Sequence, residues 1–178
     1  YNTDYVGFGR SLDHAGIKVE GKNCIVLGSG GAARAVIQYL ADAGAAHITV
    51  VSRNPLLLKP SFSDFAQRIG IEIIGYHELE NRKEAPLMVN CTPVGMYPKV
   101  DAAPVTPEEI SHFEAAVDLI YNPQQTLFLK QAAEAKMQTV NGLFMLVAQA
   151  VAAQEIWQGE KYDSELIVKI MQDLEQNI

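Results

Sequence analysis

The sequence has few of the residues that build metal centres, disulfide frameworks or nucleic-acid surfaces. Its two cysteines, Cys24 and Cys91, and its four scattered histidines do not have the spacing of a zinc site. The net charge of −7 lacks the basic excess that a nucleic-acid surface requires. We therefore predict reduced thiols, no metal site and no nucleic-acid partner.

The sequence also lacks a long apolar run. Its least charged stretch, Met137 to Gln154, contains Gln138, Asn141 and Gln149, and so predicts a buried helix with its lead-in rather than a membrane span. No basic-then-apolar signal peptide opens the sequence. We therefore predict a soluble, cytoplasmic protein, and 178 residues suffice for one domain with a core.

A glycine turn between a strand-like run and a helix is the most informative stretch. The short apolar run Asn23 to Leu27 is typical of a central parallel strand, and G-x-G-x-x-A follows it. In that pattern Gly28 allows a sharp turn, Gly30 admits a pyrophosphate next to the backbone, and Ala33 lets the helix pack closely. Free N–H groups at the helix start then face the ligand. We predict a dinucleotide site, and the alternative is a tight turn with a structural role only.

The end of the next predicted strand, His47 to Val51, indicates which dinucleotide binds. An NAD site usually has Asp or Glu about 20 residues beyond the glycines, where this chain has Ser52-Arg53-Asn54. Arg53 could pair with a 2′-phosphate through two charge-assisted hydrogen bonds, or it could be an ordinary solvated arginine. The missing acid favours NADP over NAD.

Helix and strand patterns alternate along the rest of the chain, which predicts an α/β fold: a Rossmann-like, doubly wound parallel sheet with terminal helices. Thr3 or Asp4 is the predicted cap of the first helix, and Gly16 is its predicted stop. Further strands are predicted at Ile71 to Ile74, Pro86 to Asn90, Ala115 to Ile120 and Gln138 to Val140. Helices are predicted at Tyr5 to Ala15, Ala33 to Ala43, Ser63 to Ile69, Thr126 to Ala135, Leu143 to Trp157 and Ser164 to Gln176.

Five motifs in this order resemble the shikimate dehydrogenase family over nearly the whole chain. They are Asn2-Thr3-Asp4-x-x-Gly7-Phe8, Gly28-Ser29-Gly30-Gly31-Ala32-Ala33, Asn90-Cys91-Thr92-Pro93-Val94-Gly95-Met96, Asp118-Leu119-Ile120-Tyr121-Asn122-Pro123 and Gly142-x-x-Met145-Leu146-x-x-Gln149-Ala150. The resemblance implies an oxidoreductase of aromatic amino-acid biosynthesis, which reversibly reduces 3-dehydroshikimate to shikimate with NADPH.

The resemblance also implies which residues bind the cofactor. Arg53 matches the residue that contacts the adenosine 2′-phosphate, although Ser52 and Asn54 replace the asparagine and threonine common beside it. The pyrophosphate loop would be Gly28, Ser29, Gly30, Gly31 and Ala32. The other implied cofactor-binding residues are Ser52, Thr92, Leu119, Gly142 and Met145.

The substrate-side residues implied by the resemblance are Asp4, Tyr121 and Gln149. Asp4 matches the catalytic aspartate that bonds a substrate hydroxyl and pairs with a lysine of an amino-terminal substrate domain. Each has a simpler interpretation: Asp4 as a helix cap, Tyr121 as a core tyrosine, and Gln149 as an internally bonded amide.

The family's substrate domain precedes the Asn-Thr-Asp motif, at which this sequence begins. We therefore expect residues 1–178 to form a single NADP-binding domain of a two-domain enzyme, inactive by itself. The helices within 1–16 and 143–178 would contact the missing domain, and the stripe of Leu166, Ile170, Met171 and Leu174 could drive self-association. The alternatives are a quinate/shikimate dehydrogenase homologue that uses NAD, or a nucleotide-binding module without catalysis.

Overall fold

The computed structural model describes residues 2–82 and 85–176, and it confirms the predicted α/β architecture. Six parallel strands form one sheet with helices on both faces. The strands are β1 Asn23–Leu27, β2 His47–Ser52, β3 Glu72–Gly75, β4 Leu87–Asn90, β5 Ala115–Asp118 and β6 Gln138–Val140. The helices are α1 Thr3–Ala15, α2 Gly31–Asp42, α3 Pro60–Ile69, α4 Pro107–Ile110, α5 Leu127–Glu134, α6 Leu143–Gln158 and α7 Ser164–Glu175, with 3₁₀ turns at Pro55–Leu57 and Tyr76–Asn81.

The strand order is β3-β2-β1-β4-β5-β6, so the direction of winding reverses between β1 and β4. Val26 of β1 lies opposite Val50 of β2 and Val89 of β4 in the register. Successive β1 residues point to opposite faces: Val26 belongs to one buried apolar cluster and Ile25 to the other. Such a reversal point opens a crevice at the carboxyl ends of the strands, where doubly wound sheets bind ligands.

Helix α1 begins at Thr3, two residues before the predicted start at Tyr5. The cap is Asn2, whose side chain accepts a hydrogen bond from the Tyr5 N–H at 3.2 Å. The prediction of Thr3 or Asp4 is wrong because both already belong to the helix, whereas Asn2 has the extended backbone of a cap. The helix ends at Gly16 as predicted, with a φ of +68°.

The glycines inside α1 are explained by packing. A Cβ on Gly7 would lie 2.8 Å from the Met145 carbonyl oxygen of α6, and one on Gly9 would lie 2.2 Å from the Tyr39 ring. Both positions therefore require a residue without a side chain, and the close contacts compensate for the low helix propensity of glycine. Helix α1 is consequently held between α2 and α6.

Helices α6 and α7 form the carboxyl-terminal layer. As predicted, α6 is buried along most of its length, and α7 packs on it through Ile167, which is 2% exposed. Ile170, Met171 and Leu174 are partly buried against the same cluster, so α6 covers much of the predicted apolar stripe. Leu166 remains 37% exposed.

Two other segments differ from the sequence predictions. Helix α3 starts at Pro60 rather than Ser63, because proline is well suited to a first helical turn that needs no N–H donor. The segment between Val100 and Ile110, for which no helix was predicted, contains the buried Val105 and the short helix α4, which Thr106 caps. Among the described residues, no helix combines the length and apolar character that crossing a membrane requires.

Candidate dinucleotide site

The turn after β1 occupies the crevice between β1 and β4. Gly28 has a φ of +103°, and its N–H donates to the Val51 carbonyl at 2.9 Å. A Cβ here would lie 3.1 Å from Thr92 Cγ2 and 3.3 Å from the Cys91 carbonyl oxygen. Both the backbone conformation and the narrow gap to the β4 loop therefore select glycine.

The start of helix α2 is open to a ligand. Gly30 caps the helix in an extended conformation, without a side chain that accepts from the first-turn N–H groups. A Cβ on Gly30 or Gly31 would meet no atom of the described residues within 4 Å, so space lies directly in front of the backbone. Ala33 is fully buried, which keeps the helix close to the sheet as predicted. Unpaired N–H groups and the positive end of the helix dipole suit a pyrophosphate at this position.

The end of β2 has a positive charge where an NAD site usually has a carboxylate. Ser52 is buried and its Oγ accepts from the Asn54 N–H at 3.4 Å, whereas the Arg53 side chain is exposed. Burial raises the pKa of Tyr76, and Arg53 opposes that rise, so the guanidinium lies close enough to act on this phenol. In the described parts of the chain Arg53 forms no hydrogen bond or ion pair, which leaves its donors available for a phosphate.

A buried polar network lies below the crevice, at the ends of β4 and β5. Asp118 Oδ1 accepts from Asn90 Nδ2 at 3.0 Å and from the Ile120 N–H at 3.1 Å. Its Oδ2 accepts from the Thr126 hydroxyl at 2.6 Å. The Asn90 side-chain oxygen, Oδ1, accepts from the hydroxyl of Thr92 at 2.7 Å and from its N–H at 3.0 Å.

Burial shapes the acid–base properties of this network. It raises the pKa of Asp118 from 3.8 to about 6, a rise that the hydrogen bonds from Thr126, Ile120 and Asn90 limit. It also raises the pKa of the Cys91 thiol, and the nearby Asp118 carboxylate adds to that rise. Cys91 is therefore a thiol at neutral pH and a poor nucleophile.

The predicted nicotinamide side brings Leu119 and Gly142 together. A Cβ on Gly142 would lie 2.0 Å from the Leu119 carbonyl oxygen, and the Gly142 N–H donates to the Ile120 carbonyl at 2.9 Å. Met145, one turn into α6, is 7% exposed and belongs to the apolar cluster around β1. Leu119 and Gly142 thus form one close backbone contact, whereas the Met145 side chain is largely in the core.

The predicted substrate residues lie on two different parts of the fold. Asp4 is a half-buried residue in the first turn of α1, one turn before Gly7, whose backbone meets Met145 and Gln149 of α6. Gln149 is half-buried, and within the described residues its amide has no hydrogen bond. Tyr121, in the loop after β5, is 42% exposed, so it is not a core tyrosine.

The sequence analysis missed the central part of the polar network. Asn90 and Asp118 appear in its motifs without a role, and Thr126 only as the start of a helix. Part of the signal was in the sequence, since Asn90 ends a predicted strand and Asp118 is the one charged residue in the predicted strand Ala115 to Ile120. The structure places the two residues opposite each other in the register. Polar residues at adjacent strand ends of a doubly wound sheet lie at the ligand-binding edge.

The fold and this site define an NAD(P)-binding Rossmann domain. Residues 16–158 match the model of a family described as "Putative NAD(P)-binding", and the chain belongs to that family.

More specific similarity confirms the resemblance to shikimate dehydrogenases. The shikimate dehydrogenase (NADP(+)) of Clostridium perfringens is 44% identical over 174 residues, which are 98% of this chain and 63% of that protein. A chorismate mutase/shikimate 5-dehydrogenase fusion protein from Clostridium acetobutylicum has 47% identity and a TM-score of 0.90 over 99% of this chain and 62% of its own. Shikimate 5-dehydrogenase from Listeria monocytogenes, solved with shikimate and NAD, has 26% identity and a TM-score of 0.81 over 95% of this chain and 62% of its own. The chain thus spans less than two thirds of the length of these relatives.

Proposed function

We propose that this chain is the NADP-binding part of a shikimate dehydrogenase, an enzyme that interconverts 3-dehydroshikimate and shikimate. The observation that carries the proposal is the pairing of an open glycine turn with a cation at the end of β2. Gly30 and Gly31 leave room for a pyrophosphate, and Arg53 stands where an acid would select NAD. The similarity to shikimate dehydrogenases over nearly the whole chain supports the substrate class.

We assign the residues of the crevice, in chain order, to the pyrophosphate, the 2′-phosphate and the nicotinamide of NADP. The turn from Gly28 to Ala32 would hold the pyrophosphate, and Ser52 and Arg53 would hold the adenosine 2′-phosphate. Thr92, Leu119, Gly142 and Met145 would line the way to the nicotinamide. When bound, the nicotinamide supplies the hydride, and the protein's part is to orient it and exclude water.

On the substrate side we propose Asp4, Tyr121 and Gln149. In the described residues the Asp4 carboxylate has no hydrogen bond or ion pair, and the Gln149 amide has no hydrogen bond, so both can bond a substrate hydroxyl. Asp4 would manage the hydroxyl proton together with a lysine of an amino-terminal domain. We accordingly expect the chain alone to show no NADP-dependent shikimate oxidation, and robust turnover by the purified chain would contradict this division of roles.

The terminal helices are our proposal for the contact with that domain. Between α6 and α7 lies an apolar groove of about 520 Å³, lined in part by Leu146, Ala150, Leu166 and Ile170. If no second domain covers it, we expect self-association or weak amide protection in α7. A strictly monomeric chain whose α7 amides exchange as slowly as those of β1 would contradict the proposal.

Use of NAD remains the alternative within the same family, and the Listeria structure with NAD favours keeping it. A nucleotide-binding module without catalysis is the alternative from another class. Titration with both cofactors distinguishes the first alternative, and assay of the full-length protein with shikimate tests the second.

The cofactor test is the substitution Arg53→Ala. We expect NADPH binding to lose roughly 1.5–3 kcal/mol, less if the ion pair stays well exposed, while NADH binding is nearly unchanged. Fluorescence titration of the reduced cofactors measures both affinities. Arg68→Ala is the matched control, because it removes the same charge from the last turn of α3, where the guanidinium lies over Phe65. Equal losses for NADPH and NADH would overturn the assignment of Arg53.

A further inference from the structure

The buried polar network connects the interior of the sheet to a loop of the crevice. Asp118 and Asn90 are both 0% exposed, so neither side chain is open to a ligand. Asn90 nevertheless lies between Asp118 and Thr92. Its side-chain NH₂ group donates to Asp118, and its side-chain oxygen accepts from the Thr92 hydroxyl. The effect of Asp118 on Thr92 therefore passes through the Asn90 side-chain amide.

Asp118 determines which way that amide points. A carboxylate is only an acceptor, so Asn90 must present its NH₂ group to Asp118 Oδ1, and its oxygen then points to Thr92. Thr92 offers that oxygen two donors, its hydroxyl and its N–H. With the amide reversed, the NH₂ group would face both donors, so Thr92 would lose its anchor.

Thr92 in turn lies against the glycine turn. Its Cγ2 would be 3.1 Å from a Cβ on Gly28, and its Oγ1 accepts from the Val94 N–H at 3.2 Å. The same Asp118 oxygen also accepts from the Ile120 N–H, next to the Leu119 carbonyl that crowds Gly142. Two loops that border the crevice are therefore fixed by one carboxylate oxygen.

We propose that Asp118 is a positioning residue of the NADP site, which fixes the Asn90 amide and through it holds Thr92 against the Gly28 turn. This inference rests on the proposed function, because it assumes that the crevice binds NADP. It adds roles for Asp118 and Asn90, neither of which would touch the cofactor.

The test compares NADPH affinities of folded variants by fluorescence titration. Asp118→Ala removes the carboxylate that accepts from Asn90. Asn90→Ala removes the side chain that connects Asp118 to Thr92, while Asp118 still accepts from Ile120 and Thr126. We expect each to weaken NADPH binding about tenfold, and the double variant to lose no more than the single ones. Asp118→Asn should stay within about threefold of wild type, because its amide oxygen can accept from Asn90 and its NH₂ can donate to the Thr126 hydroxyl.

Glu155→Gln is the matched control for a loss of stability alone. It perturbs another buried carboxylate, whose partners Arg10, Lys161 and Tyr162 lie outside the crevice. We expect its NADPH affinity to equal that of wild type at a temperature where every variant is folded by circular dichroism. Weakened NADPH binding in this folded control would overturn the inference, because instability alone would then explain the losses.

Amide hydrogen exchange of the ligand-free chain gives a second readout. In Asp118→Ala the Thr92 and Ile120 amides should exchange at least tenfold faster, whereas in Asp118→Asn they should remain protected. Wild-type NADPH affinity in folded Asp118→Ala would overturn the inference. So would an Asp118→Asn variant that loses as much affinity as Asp118→Ala. If Asp118→Ala does not fold, wild-type affinity in folded Asn90→Ala overturns it.

Failure of the proposed function gives a different result. Wild-type chain that binds neither NADPH nor NADH would refute the cofactor proposal, while the exchange measurement still shows whether Asp118 holds Thr92. Unchanged exchange at Thr92 in folded Asp118→Ala would refute the positioning role whatever the chain binds.

Discussion

Asp118 and Glu155 are both buried carboxylates, 0% and 4% exposed, yet their partners differ in charge. Among the described residues, Asp118 at the end of β5 accepts hydrogen bonds only from neutral donors: the Asn90 amide, the Ile120 N–H and the Thr126 hydroxyl. Glu155, in α6, accepts from the Arg10 guanidinium at 2.7 Å, and Lys161 lies 3.4 Å away. In the described chain no cation forms an ion pair with Asp118.

The two environments shift the pKa in opposite directions. For Asp118, burial dominates and raises the pKa to about 6. For Glu155, burial also raises the pKa, but the Tyr162 N–H and the Arg10 guanidinium together outweigh it, so the pKa lies below the usual range. The comparison indicates that Glu155 stabilises the contact between the helices. A charged Asp118 instead lowers the stability of the fold, and the positioning role that we propose for it in the crevice explains why a carboxylate is present there.

The largest effect that separates the two carboxylates is the pH dependence of Asp118. Because its folded-state pKa is raised, the folded state binds more protons than the unfolded state between pH 3.8 and about 6, and stability falls as pH rises through that window. Asp118→Asn has no charge to bury. Its free energy of unfolding relative to wild type should therefore rise by roughly 2.4 kcal/mol from pH 4 to pH 7.

Urea denaturation of both proteins at intervals from pH 4 to pH 7 measures this difference. Asp101→Asn is the control, because it makes the same chemical change at an exposed position. If the free energies of unfolding of Asp118→Asn and wild type differ by the same amount at every pH, burial does not raise the pKa of Asp118.

The second prediction concerns Glu155→Gln, which should lower the free energy of unfolding by about 2–3 kcal/mol at pH 7. The glutamine keeps an acceptor for the Tyr162 N–H but leaves the Arg10 guanidinium without its anion. One nitrogen of Arg10, Nη1, already has no hydrogen-bond partner among the described residues. Since the pKa of Glu155 is lowered, its stabilisation is present above the unfolded-state pKa and is lost as pH falls through the folded-state value.

Chemical denaturation at neutral and acidic pH measures this loss and its disappearance on acidification. The exposed neighbour Glu160 provides the matched control, because Glu160→Gln makes the same chemical change where no ion pair forms among the described residues. Equal losses for the two variants would remove the distinction between a buried ion pair and a surface charge.

The smallest effect should come from Lys161→Ala. The Lys161 side chain is 85% exposed, so solvent screens its attraction to Glu155. We expect a loss below about 1 kcal/mol, which 0.5 M salt should reduce further. A loss as large as that of Glu155→Gln would mean that Lys161, and not Arg10, balances the Glu155 charge.

The sequence predicts the fold well because its local signals agree with each other. Apolar β-branched runs such as Ile48–Val51 read as buried strands, and glycines such as Gly16 end helices where they are expected. One boundary error has a clear cause: the polar Ser52 continues β2, because its burial in the sheet overrides its low strand propensity.

The candidate site is less predictable, because its geometry depends on contacts between distant segments. The glycine fingerprint and Arg53 are local signals and could be read directly. The Cβ clash between Gly142 and Leu119 joins residues 23 positions apart, and the hydrogen bond from Asn90 to Asp118 spans 28. Glu155 was missed for a similar reason: its partner Arg10 lies 145 positions away. Such pairs become visible only once the arrangement of the strands and helices is known.

The contact of Gly7 with α6 also has a mechanical consequence. Because the backbones of α1 and α6 meet closely at Gly7, the position of helix α1 is fixed at this contact. Asp4 lies about 4.5 Å from the contact along the helix axis. A methyl group at residue 7 would force the two helices apart, since its carbon would lie only 2.8 Å from the Met145 carbonyl oxygen. Gly7→Ala should therefore tilt helix α1 and change the distance between Asp4 and Gln149, although neither of those residues is altered.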